Sequence, residues 1–161
     1  MEIAANRSRS LDCDNSRPAG GVAAAIRAAS AALRVADWLA PVLDLAIRIV
    51  VAMVFFQSGL TKIASWDSTL SLFEDGTYVV PVLPPELAAY LGTGAELFLP
   101  VLLVLGLGGR FAAIALFVFN IVAVISYPEL SEVGLKDHQY WGMFLLVTAL
   151  HGPGKLSIDH F

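Results

Sequence analysis

Charge is scarce in this 161-residue sequence: Asp, Glu, Lys and Arg together make up 15% of it, apolar residues make up 57%, and the mean hydropathy is +0.72. A soluble domain ordinarily carries about 25% charged and about 45–50% apolar residues. The shortage is deeper than the total suggests, because Arg7, Arg9, Arg17, Arg27 and Arg34 take five of the ten cations and all precede residue 39. What remains lacks the charge to clothe a soluble core. Cysteine is rarer still. Cys13 alone allows no internal disulfide, no CxxC redox pair and no cysteine-based zinc site. A net charge of −4 and a pI near 5.2 leave no basic face beyond the N-terminus, which excludes a general nucleic-acid binder. HExxH, P-loop and dinucleotide motifs are also missing.

What the sequence does have is apolar length. Four stretches stand out: Leu39 to Leu60, Leu87 to Gly109, Phe111 to Tyr127, and His138 to Leu150, the last extended to Leu135–His151. A membrane helix needs about 20 mostly apolar residues. A soluble four-helix bundle would need polar outer faces, yet 111–128 contains no charge at all. The expected fold is therefore all-α, a polytopic membrane four-helix bundle over residues 39–161. Residues 1–38 form a polar or amphipathic N-terminal extension, disordered or lying on the membrane surface. Its early acids and Arg27 and Arg34 do not fit a cleaved signal peptide.

Basic residues set the orientation. With both termini cytoplasmic, seven of the ten cations fall on the inner side, including Arg110 in the GLGGR turn and Lys155, and only Lys62 and Lys136 fall outside. The first outer loop carries Ile63, Trp66, Leu70 and Phe73 at helical spacing, which predicts a short interfacial helix with its aromatic face in lipid. Pro81, Pro84 and Pro85 force the following segment to be extended, and Pro85-Glu86 opens the second span.

Polar residues at membrane depth are the candidates for function, because a charge there costs about 2.5–3.5 kcal/mol on insertion scales. Arg48 and Glu96 each lie ten positions into their spans, so an Arg48–Glu96 ion pair is expected. Ala52, Phe55, Gly59 and Lys62 continue the Arg48 stripe, with Asp44 one turn before it, and Gly92, Thr93 and Pro100 accompany Glu96. Lys62, Gln57 and Trp66 near the rim would complete a partly apolar pocket for a quinone-like head group. The same pair can also serve only to fix helix register, and both roles stay open. No metal site is expected; His138 and Asp137 are the weak candidates, with Glu129 and Glu132 nearby.

With these residues in view, the chain resembles the DoxX family of small four-span membrane proteins. The marks are Arg48, the FFQSGLTK stretch with Gly59 and Lys62, Glu96 followed by Pro100 and LGLGGR, and the closing WGMFLLVTALHGPGKLSIDHF. The closing piece is most similar to the branch found beside genes for peptide metal-binding products. The resemblance implies functional roles for Arg48, Lys62, Glu96 and Arg110, and an inner C-terminal motif of Gly152, Pro153, Gly154 and Asp159. It also implies a bacterial inner-membrane protein that is either the quinone-facing or anchoring subunit of a redox system (sulfur or metal stress), or a non-enzymatic partner that docks or helps export a small metal-binding peptide. In the first case it is an oxidoreductase subunit that is not self-sufficient, with a quinone as its non-covalent cofactor. The partners are then the lipid bilayer and a redox enzyme or metal-binding peptide system, with other copies of the chain admissible and nucleic acid excluded.

Overall fold

The computed structural model describes residues 19–160, and among them every regular element is helical: α1 (Ala19–Ala64), α2 (Trp66–Glu74), α3 (Pro85–Leu105), α4 (Gly109–Ser126), α5 (Glu132–His151) and a 3₁₀ turn at Ile158–His160. The polar opening with Cys13 lies outside the described residues. Helices α1, α3 and α4 are long and apolar enough to cross a membrane. Helix α5 matches them in length, but Glu132, Lys136 and Asp137 in its first turns leave it less apolar.

Helix α1 is longer than the apolar stretch from Leu39 to Leu60: its helical residues run from Ala19 to Ala64, with Pro41 inside. Proline removes one backbone donor, and the Ala- and Leu-rich flanks are strong enough helix formers to carry the helix past it. Contacts divide the chain into two units, residues 1–37 and 38–161.

Helix α3 opens as its sequence dictates, with Pro85 in its first turn and Glu86 at the positive end of the helix dipole. It closes on left-handed Gly106 (φ 65°), where the Leu107 N–H returns to the Leu102 carbonyl at 3.1 Å. Residues 106–108 then turn the chain directly into α4, so α3 and α4 pack side by side, with α5 on α4 and α2 on α3. Small residues let the helices close in. Val51, Ala52 and Phe55 of α1 share a core with Leu103, Ala112, Ala113, Leu116 and Leu145. The Phe55 ring meets Phe119 and Trp141 edge-on, at 6.1 and 5.9 Å.

The outside of this core is as apolar as the inside. Helix α4 presents Phe111 at 69% and Ile125 at 61% exposure, positions where a soluble helix would be polar. The short helix predicted in the first loop does form as α2, but its apolar face is not free for lipid. Phe73, Trp66 and Leu70 pack against Ala88 and Ala89 of α3, whose small side chains leave room for the rings.

Candidate functional site

Arg48 is buried, with 1% of its surface exposed, and it does not meet Glu96. Its Nη1 donates to the carbonyls of Leu103 (3.3 Å) and Val104 (3.1 Å), and Nη2 donates to the Leu156 carbonyl. The first two are last-turn carbonyls of α3, which carry the negative end of its dipole, and the Leu103 carbonyl also accepts the Gly106 N–H at 3.2 Å. Arg48 therefore caps α3 from another helix and ties down the C-terminal segment. The expected ion pair fails on register. The close approach of α1 to α3 is at Gly59, where a Cβ would lie 2.9 Å from Leu97 Cγ and 3.1 Å from Glu96 Cβ. Arg48 is eleven residues away, about 16 Å of helix.

Glu96 is paired with Lys62 instead. The Lys62 ammonium donates to both carboxylate oxygens, at 2.7 and 2.5 Å, and to Ser58 Oγ at 2.9 Å, while Ser58 Oγ donates to Glu96 Oε1 at 3.2 Å. The side chains are 20% and 7% exposed, so the pair is largely desolvated. Ser58 and Lys62 stand one turn apart on α1, and Thr69 Oγ1 holds the Lys62 carbonyl at 3.0 Å, fixing the end of the helix.

The pair lines a cavity of about 300 Å³ together with Tyr78, Ser126, Tyr127 and His138. Burial pushes the Tyr78 phenol above its ordinary value, so it remains a protonated hydrogen-bond donor. Ser126 Oγ is buried and has no hydrogen-bond partner among the described residues. The cavity thus offers an ammonium, a carboxylate, phenols and an imidazole beside the apolar surface of Phe119 and Val122.

Of the residues singled out in the sequence, Lys62, Gly92, Glu96 and His138 line this cavity, and Arg48, Gln57, Trp66 and Asp137 do not. Gln57 is exposed beside a separate apolar groove of about 440 Å³ between α1 and α3. Trp66 stacks on Tyr90 at 4.7 Å. Asp137, Glu129 and Glu132 are exposed, whereas the His138 ring is hydrogen-bonded to Asn120. Among the described residues no three ligand-type side chains converge to hold a metal. Ser58, Tyr78 and Tyr127 were missed. Ser58 carried a signal, since it precedes Lys62 by one turn, but the tyrosines come from irregular segments with no periodicity to read.

The C-terminal motif has a different task at the opposite end of the bundle. The Asp159 carboxylate accepts the N–H groups of Gly108 (2.9 Å) and Gly109 (2.8 Å), capping α4 from fifty residues away. These two N–H groups, Gly109's first, hold the Asp159 carboxyl below its ordinary range. A Cβ on Gly109 would sit 2.6 Å from Pro153 Cβ. Arg110 lies beside Gly152, and Gly154 (φ 74°) passes against the Asp44 carboxylate.

Apolar outside, with a few buried polar residues inside, and built from helices alone among its described residues, this is a helical membrane protein. The chain belongs to the DoxX family, which it matches over residues 43–128. It is also 29% identical over 120 residues to an uncharacterized protein of Haemophilus influenzae, covering 71% of this chain and 80% of that one. No solved structure matches it. The family match takes in Arg48, Gly59, Lys62, Glu96 and Arg110, and ends before α5 and the C-terminal motif.

Proposed function

We propose that the chain is a four-span protein of the bacterial inner membrane, with both termini cytoplasmic, that takes a quinone head group into the Lys62–Glu96 cavity as the quinone-facing or anchoring subunit of a redox system. The observation that carries this reading is a desolvated ion pair opening onto a cavity of head-group size at the end of an apolar bundle. About 300 Å³ is the lower end of ligand pockets, enough for a ring but not for an isoprenoid tail. Cations distribute accordingly: Arg110 and Lys155 flank the Gly106 turn, while Lys62 and Lys136 lie towards the other end. Helix α5 supplies the fourth span, since its charges are confined to its first turns.

The residues fit such a group. A ring oxygen can take one of the two Lys62 hydrogen bonds while the other keeps Glu96 in place, and the Tyr78 hydroxyl adds a neutral donor. A bound quinone would supply two-electron, two-proton chemistry, with the electrons drawn from a cofactor on a protein partner. Arg48 takes no part in the cavity and acts as the staple of its other end.

The test is extraction of small molecules from protein purified out of native membranes. The expected result is a quinone retained by the wild type and lost from Lys62→Met and Glu96→Gln. Recovery of no quinone, together with loss of metal tolerance on gene deletion, would replace this reading by the non-enzymatic peptide partner, docking on exposed Glu129, Glu132 and Asp137. A reporter fused to Phe161 that signals from outside the cytoplasm would overturn the orientation.

A further inference from the structure

His138 has a fixed tautomer, and the partner that fixes it is buried. Asn120, with 4% of its surface exposed, reaches from α4 and holds the histidine at two points. Its Nδ2 donates to the backbone carbonyl of His138 at 2.9 Å, and its Oδ1 lies 2.7 Å from the ring Nδ1. The reverse amide would set two oxygens face to face, so Nδ2 must be the group at the carbonyl. Oδ1 then faces the ring, and Nδ1 must carry a hydrogen to meet it. The neutral imidazole is therefore the Nδ1–H form, and Nε2 is left with a lone pair. The ring edge against Trp141, 4.8 Å between centroids, holds its orientation. Nε2 has no hydrogen-bond partner among the described residues, and His138 lines the same cavity as Lys62 and Glu96.

We propose that His138 is the specificity-determining acceptor of this cavity, selecting a hydroquinone over the corresponding quinone. The proposal rests on the quinone reading above and adds the redox state bound. Lys62 can donate to a ring oxygen in either state, because both carbonyl and hydroxyl oxygens accept. Nε2 can only accept while it keeps its lone pair, so it rewards a ligand that brings a hydroxyl and leaves a carbonyl oxygen facing another lone pair. Asn120 is the positioning residue: without it the ring can present either nitrogen and the discrimination fades.

The test uses the full chain in lipid nanodiscs with ¹⁵N-labelled histidine. At neutral pH the His138 ring should show a protonated Nδ1 and a bare Nε2, and the Nε2 resonance should move when a short-tailed hydroquinone is added. The hydroquinone should bind about tenfold more tightly than the corresponding quinone, the difference expected for one hydrogen bond. In His138→Phe, which keeps the ring but has no nitrogen, the two should bind alike. A protonated Nε2 with a bare Nδ1 in the wild type overturns the proposal without requiring any variant to fold. Discrimination that survives in His138→Phe overturns it while leaving the quinone reading intact. Failure of the wild type to bind hydroquinone or quinone at all overturns both.

Discussion

Replacing Arg48 with Met separates a structural staple from a catalytic cation. The substitution keeps an unbranched apolar stem but removes donors to three carbonyls, those of Leu103, Val104 and Leu156. Hydrogen bonds from a charged donor contribute about 1.5–3 kcal/mol each, so roughly 4.5–9 kcal/mol of interaction is lost. Against this, the variant no longer holds a cation in the apolar interior, a relief of about 2.5–3.5 kcal/mol. The net expectation is a loss of about 1–6.5 kcal/mol, read from reversible unfolding in mixed micelles. Cleavage by protease should rise in the segment around Leu156, because its anchor to α1 is gone. Ligand retention at the Lys62–Glu96 cavity should persist in the fraction that stays folded. An Arg48→Met protein as stable as wild type that has nonetheless lost its ligand would refute the staple and restore Arg48 to the site. The exchange Arg48→Glu with Glu96→Arg gives an independent check: since the two never meet, the double variant should be no more stable than the worse single one.

Other consequences can be measured alongside. In a double-mutant cycle, Lys62→Met and Glu96→Gln should show a coupling of about 1–3 kcal/mol, because each single change leaves a desolvated charge without its partner; additive effects would mean that the pair contributes nothing. Gly109→Ala and Gly59→Ala should each destabilise by about 1–3 kcal/mol, as judged by thermal unfolding. The rigid Pro153 ring cannot move away from a new methyl group at Gly109, and at Gly59 the methyl group meets Leu97 Cγ and Glu96 Cβ as well as the free end of Leu97. Asp159 makes the C-terminal segment acid-labile. Its carboxyl is held below the ordinary value by Gly109 and Gly108, so the stabilisation is full above the unfolded pKa and is lost as pH falls through the lower folded one. Amide exchange at Gly108 and Gly109 should therefore accelerate only on acidification below the ordinary carboxylate range, and Asp159→Asn should remove that dependence.

How much of this was legible in the sequence follows from what kind of information each feature needs. The apolar stretches marked α3 and α4 to within a few residues, because hydrophobic length and the Pro85-Glu86 start are local properties. Helix α2 was legible from its spacing, but its burial against Ala88 and Ala89 was not, since two alanines look the same facing lipid or facing a ring. The pairing of charges required the sliding register of α1 on α3, and counting residues from the ends of apolar runs cannot supply it. Gly59 sets that register through a contact with Leu97 that no charge pattern reveals. Reading charges also counts side chains alone, whereas a helix end offers charge of its own. Arg48 sits on the carbonyl end of α3 and Asp159 on the amide end of α4, either side of one short turn. Each meets a backbone dipole of the opposite sign. Arg48 thus meets backbone carbonyls rather than Glu96, with Asp44 one turn before it on α1, and Glu96 is left to Lys62 and to whatever enters the cavity beside it.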